Sequence, residues 1–238
     1  MIPPAEVISD RTDQAGERGE CIATRHLALS PADGSGGTRV LTREMDRNVS
    51  APSFSPDGAE IWFGVEDSAE NHIAAYDLDR GVVRRVTSGP VSIRGWHRSP
   101  EGTAVARVSR VDLPGDLFRL EARGSGGDPL AGPVELRRLT ATNDALLAAL
   151  DLGEVREERW ESEEGVEVEG FVHLPPDYRE GERYPLLLRL HGGPVSQYAH
   201  SFNFDAHLFA VEGGDGNDGQ EVVQICLAVQ LHLDGEVV

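Results

Sequence analysis

Short apolar runs separated by turn-forming residues recur up to about residue 140, although residues 1 to about 25 lack a clean pattern. Residues 60–65 (Glu-Ile-Trp-Phe-Gly-Val), 72–78 and 82–87 each read as a strand, and so do 104–108, 116–120 and 134–140. Each is a short run bounded by turn signals, as a strand is. The turns between them carry their own chemistry. In Ser55-Pro56-Asp57-Gly58 the proline presets φ and Asp-Gly supplies a positive-φ position; Asp79-Arg80-Gly81 and Gly124-Ser125-Gly126-Gly127 separate later strands.

The pattern repeats. Ser55-Pro56-Asp57-Gly58 returns as Ser99-Pro100-Glu101-Gly102, 44 residues on. An Arg-apolar-Thr marker ends at Thr42, Thr87 and Thr140, at intervals of 45 and 53 residues. A period in the forties with short strands between turns is the signature of β-propeller blades. Ser55, Asp57, Ser99 and Glu101 are accordingly expected to build turns rather than to catalyse. Two to three such units are too few to close a propeller, so the pattern predicts a chain that starts inside one.

Residues 143–152 read as a short helix or connector with Asn143 as N-cap. After Gly153 the pattern changes. Residues 154–162 and 166–174 predict an outer, half-exposed hairpin in which Val166, Val168, Gly170, Val172 and Leu174 alternate with Glu167, Glu169, Phe171 and His173. Residues 186–190, between Pro185 and a glycine pair, predict a fully buried strand of a parallel sheet. That strand runs into His191-Gly192-Gly193-Pro194, where glycines leave backbone N–H groups unobstructed. Residues 201–211 predict a helix capped by Ser201, with Phe202, Ala206 and Phe209 on its inner face and Gly213-Gly214 as its stop. The apolar run 222–231 has no recognisable role.

Composition narrows the function classes. The 41 acidic and 22 basic residues leave a net charge of −19. That excess repels phosphate backbones and anionic lipid, so neither nucleic acid nor a membrane surface is an expected partner. Cys21 and Cys226 form no metal-type pair or disulfide framework, and no signal-peptide pattern or long apolar run is present, which points to the cytoplasm. His191, His200 and His207 do not have zinc-site spacing, and no phosphate loop or dinucleotide fingerprint occurs, so neither metal nor cofactor is expected. Glu157, Glu158, Glu161, Glu163 and Glu164 read as a solvated strand edge guarded against pairing.

The blade repeats, the Asn-x-x-Leu-Leu connector, the Glu-Gly hairpin, the Pro-Pro-Asp-Tyr loop and the stretch 184–198 (Tyr-Pro-Leu-Leu-Leu-Arg-Leu-His-Gly-Gly-Pro-Val-Ser-Gln-Tyr) together resemble the prolyl oligopeptidase family of serine peptidases, in particular its acylaminoacyl-peptidase-like branch. The resemblance covers about residues 25–211. It implies a partial propeller over 1–152, then the N-terminal portion of an α/β-hydrolase domain over 153–238. It places the oxyanion-hole turn at His191, Gly192 and Gly193, with Gly192 N–H as the foremost donor. It also implies hydrolysis of short or N-acylated peptides through a Ser-Asp-His triad. That triad is missing: no Gly-x-Ser-x-Gly elbow occurs, and the tail 212–238 departs from the family pattern, as a frameshift or truncation would produce. The expectation is therefore a catalytically inert chain with exposed sheet edges prone to self-association. A non-catalytic propeller-type peptide- or protein-binding module is the alternative; a divergent hydrolase using His191 with Ser196 or Ser201 ranks below both.

Overall fold

The computed structural model describes residues 5–11, 24–122, 134–163, 165, 167–192, 197–212 and 223–228. Strand β1 (Ala5–Arg11) pairs antiparallel with β2 (Arg25–Pro31), and β2 with β3 (Arg39–Val40). Two antiparallel meanders follow. The first runs β4 (Val49–Phe54), β5 (Glu60–Asp67), β6 (Glu70–Asp77) and β7 (Val82–Arg85). The second runs β8 (Ser92–Arg98), β9 (Ala104–Arg110), β10 (Leu113–Ala122) and β11 (Val134–Arg138). Between the two meanders the backbone pairing shrinks to one parallel bridge, Asn71 with Ser92. Four-stranded meanders that succeed one another and bury their faces together have the organisation of propeller blades. The predicted 124–127 loop lies outside the described residues.

Side chains hold the meanders to their neighbours. Along β5 the pleat sends Ile61, Phe63 and Val65 to one side, where Leu27, Val49 and Tyr76 complete a core. Trp62 goes to the other side, among Ile73, Ile93, Val108, Phe118 and Leu120. Its ring lies 5.7 Å from that of Trp96 and 4.6 Å beneath the Arg98 guanidinium. Each such side chain, taken fully out of water, contributes roughly 1.5–3 kcal/mol.

The threonine repeat has a physical cause. Leu27 N–H donates to Thr42 Oγ1 at 2.8 Å, Ile73 N–H to Thr87 Oγ1 at 3.0 Å and Leu117 N–H to Thr140 Oγ1 at 3.0 Å. Each threonine clasps the end of a unit's last strand to the strand before it. The residue preceding each N–H adds a second bond: His26 Nδ1 to the Thr42 carbonyl, His72 Nδ1 with Thr87 Oγ1, and Asp116 Oδ1 accepting from Thr140 Oγ1. Burial pushes the Asp116 carboxyl up, but hydrogen bonds from Thr140, Arg138 and the Thr142 backbone outweigh it and hold it at about 2. The turn residues behave as expected. Ser55 Oγ donates to Asp57 at 2.6 Å, Asp57 accepts from Ala59 N–H, and Gly58 and Gly102 take φ of +72° and +88°.

A third sheet follows the connector. Helix α1 (Asp144–Leu147) is shorter than predicted, and Asn143 makes no side-chain cap. None of its residues is buried, so packing does not extend it past one turn. Strands β12 (Val155–Glu161), β13 (Glu167–His173), β14 (Leu186–Leu190) and β15 (Val223–Ala228) assemble in the order β12-β13-β15-β14, with helix α2 (Phe204–Glu212) between β14 and β15 in sequence. Only the β14–β15 pair is parallel, which makes β14–α2–β15 a crossover unit. Gly153 precedes this sheet at a tight crossing: an added Cβ would sit 1.7 Å from the Leu174 carbonyl oxygen, so only glycine fits.

Five expectations are corrected here. The run 222–231 does have a role, since β15 is an inner strand of this sheet. Strand β13 is not half-exposed: flanked by β12 and β15, it buries Glu169, Phe171 and His173 along with Val168. Strand β14 is not buried; Leu186, Leu188 and Leu190 are 60%, 53% and 63% exposed, because β14 is the last strand of the sheet and no described residue covers it. Helix α2 is capped by Asn203, whose Oδ1 accepts from Ala206 N–H at 3.1 Å, rather than by Ser201. Its inner face is Ala206, His207 and Ala210, and Phe209 is exposed.

Candidate functional site

The glycine turn sits where α/β sheets place their chemistry, at the carboxyl end of a parallel strand. Leu190 ends β14, and His191 and Gly192 follow it; Gly193 lies outside the described residues. Among the described residues an added Cβ on Gly192 would meet nothing within 4 Å. An oxyanion donor works in a water-poor cleft, and the described residues build no wall around Gly192. Arg189 Nη1 lies 3.0 Å from Asp205 Oδ2, which ties β14 to the first turn of α2. That carboxylate also complements the helix N-terminus. The His191 ring stands edge-on to Tyr198 with centroids 6.1 Å apart, and neither ring nitrogen has a partner among the described residues.

Residues 197–212 join the third sheet to the meanders. The β5–β6 hairpin turns through Ser68 and Ala69, both at positive φ (45° and 58°) without glycine or asparagine. Such a turn is costly for residues bearing a Cβ. It is fully used: the Ala69 carbonyl accepts from His200 N–H at 2.7 Å, and Ala69 packs against Phe171 and Ala206. The β9–β10 hairpin makes the second contact. Phe202 N–H donates to Ser109 Oγ at 3.0 Å, and His207 Nε2 lies 2.9 Å from the Val111 carbonyl. A carbonyl only accepts, so His207 carries its proton on Nε2.

Histidines concentrate at this junction without forming one cluster. His200 Nε2 lies 2.9 Å from Glu157 Oε2, and the His200 ring meets Phe171 edge-on at 5.0 Å. His207 stacks on Phe202 at 4.7 Å and meets His173 edge-on at 4.9 Å. Burial, reinforced by the charge His207 would carry, pulls His173 down to about 3. Burial also lowers His207, against the opposing effect of its bond to Val111. Both rings are neutral near pH 7. His191, His200 and His207 thus serve three separate contacts, and the described residues hold no group of three metal-binding side chains.

Of the serines considered as nucleophiles, Ser196 lies outside the described residues. Ser201 Oγ lies 3.4 Å from the Ala199 carbonyl, and no imidazole contacts it among the described residues. Sequence reading put His191 and Gly192 at a strand end, as the structure does, but missed the His173–His207 pair, because it read the strand of His173 as part of an outer, half-exposed hairpin. It also missed Arg94 and Arg107, which line a cleft of about 300 Å³ with Ser92, Ser109, Ser201 and Phe202. The only available signal was the alternation that sets Arg107 and Ser109 opposite the apolar Ala106 and Val108. Among the described residues no helix is long and apolar enough to cross a membrane.

No family model matches the chain. Among curated proteins it is 28% identical over 190 residues to dipeptidyl-peptidase 5 of Porphyromonas gingivalis, covering 78% of this chain and 26% of that protein. It is also 28% identical over 134 residues to the uncharacterized peptidase YuxL of Bacillus subtilis, covering 56% of this chain and 19% of the relative. The chain therefore spans about a quarter or less of these relatives. Among solved structures, Pyrococcus horikoshii acylaminoacyl peptidase superposes with a TM-score of 0.65 at 20% identity, over 86% of this chain and 28% of that one. Dipeptidyl peptidase 4 of P. gingivalis gives 0.67 at 15% identity, over 96% and 29%. These neighbours combine a propeller with an α/β-hydrolase domain, and the likeness is one of fold over the part that superposes.

Proposed function

We infer, for a chain that groups by sequence with peptidases of the prolyl oligopeptidase family, that it carries propeller blades and the opening sheet of the hydrolase domain of a serine-type peptide hydrolase, without that enzyme's reactive centre. The supporting observation is the sheet order β12-β13-β15-β14, with His191 and Gly192 at the carboxyl end of β14. In this reading residues 1–152 belong to the propeller and 153–238 to the hydrolase domain. His191, Gly192 and Gly193 form the oxyanion turn, and Gly192 N–H waits for the charge that develops on a scissile carbonyl oxygen. One such donor is worth ~3 kcal/mol in the transition state. The nucleophile, its base and the orienting carboxylate are to be supplied from outside this chain, since the 238 residues contain no Gly-x-Ser-x-Gly elbow.

The full enzyme would act on short or N-acylated peptides. The 238-residue chain should be inert. Assayed with acyl-peptide and dipeptide chromogenic substrates, the purified chain is expected to release product no faster than buffer and to take up no serine-directed fluorophosphonate probe. Turnover abolished by that probe would overturn the reading and return attention to Ser196 and Ser201. A self-contained binding module requires a closed surface, and the leucines of β14, uncovered among the described residues, speak against it.

A further inference from the structure

The cleft beneath residues 201–202 is lined by Arg94, Arg107 and Ser201 together with Ser92, Ser109, Pro114, Gly115 and Phe202. Its volume is about 300 Å³, at the lower end of ligand pockets and sufficient for a peptide terminus. Ser109 is spent on architecture: its hydroxyl donates to the Leu113 carbonyl at 2.8 Å and accepts from Phe202 N–H at 3.0 Å, pinning 201–202 to the wall of the second meander. Ser92 is spent as well. Its Oγ accepts from Asn71 Nδ2 at 3.1 Å and from Arg94 Nε at 3.3 Å. Its hydroxyl has no surface for a ligand to reach; it holds Arg94 on the cleft wall. The terminal nitrogens of Arg94, and the whole guanidinium of Arg107, have no carboxylate partner among the described residues. In a chain with 41 acidic residues this is informative, because Arg47, Arg84, Arg85 and Arg138 on the same meanders each hold a carboxylate.

We propose that this cleft is a carboxylate-binding subsite in which Arg94 and Arg107 receive the C-terminal carboxylate of a peptide. Two guanidiniums demand a ligand that accepts, which is what a carboxylate does. A monovalent carboxylate suits the site better than a phosphate dianion, because the chain as a whole carries −19. The identity of the ligand as a peptide rests on the peptidase reading above; the anion preference rests on the donors alone.

The test is a calorimetric titration of the purified 238-residue chain with acetyl-trialanine as the free acid and as its amide, with acetate alongside. The free acid is expected to bind in the millimolar range or tighter, and the amide about tenfold more weakly or worse, the effect of losing a charged hydrogen bond. Arg107→Gln is expected to weaken the acid about tenfold while leaving the thermal midpoint and far-UV spectrum unchanged; Arg94→Gln serves if that variant is unstable. Arg183→Gln, away from the cleft, is the control and should change nothing. Equal affinity for acid and amide, indifference to both cleft variants, or no binding by the folded chain would each overturn the subsite. Binding of acetate without binding of the peptide acid would keep the anion site and remove the peptide from it.

Discussion

At the scale of single residues the threonine clasps are the most exacting feature of the molecule. Thr87 is 1% exposed, and its Oγ1 accepts from Ile73 N–H while contacting His72 Nδ1, whose other nitrogen lies 2.6 Å from Glu70. Valine has the same shape but offers no acceptor. Thr87→Val would strand a buried N–H and is expected to cost about 1–3 kcal/mol. Chemical denaturation should show it as a lower midpoint at unchanged slope; a loss under ~0.3 kcal/mol would mean that water or His72 replaces the bond. The marker was legible in the sequence because the clasp needs a hydroxyl at one fixed place in every unit. Its partners were not legible. His26, His72 and Asp116 fill equivalent places with different chemistry, so no letter pattern exposes them.

At the scale of elements, short runs bounded by turn chemistry located six of the eight meander strands, and missed β4 and β8, which lead the two meanders and carry fewer apolar residues. The third sheet was harder. Residues 186–190 read as buried because a run of leucines is what an inner strand carries, and the structure leaves three of them more than half exposed. Residues 222–231 carried no turn or family signal, and their place became clear only from pairing with β13 and β14. Leu186, Leu188 and Leu190 share one face, and the outer edge of β14 is unpaired among the described residues. An apolar, unprotected edge pairs with whatever edge it meets. The purified chain is therefore expected to self-associate at micromolar concentration, and Leu188→Lys to shift it towards monomer in sedimentation velocity. A wild-type chain that sediments as one monomeric species would refute this.

At the scale of the whole molecule, the meanders and the third sheet meet through residues 197–212, and the neutral histidines there give the assembly an acid limit. His173 sits at about 3 in the fold, against ~6.5 in an unfolded chain. Between those values the unfolded chain binds more protons, so stability falls as pH drops through that window and is unaffected by this group above it. The loss at pH 4 is on the order of 2–4 kcal/mol. Asp116, depressed to about 2, adds its own loss only below its ordinary range near 3.8. Among the described residues His173 Nδ1 has no hydrogen-bond partner. Urea midpoints measured from pH 7 to pH 4 should fall for the wild type and flatten for His173→Gln. Parallel curves would assign the acid sensitivity elsewhere.

The clasps also govern where such a chain can grow. Thr87 to Thr140 is eight residues longer than Thr42 to Thr87, yet the same hydrogen bond closes both units. Much of the added length falls between β10 and β11, which are 11 residues apart where β6 and β7 are separated by four. Doubling the length of a flexible connection costs only ~0.6 kcal/mol. A tip enclosed by a clasp can thus accept insertions without disturbing the register behind it, and successive units can diverge in outline while remaining interchangeable at their seams.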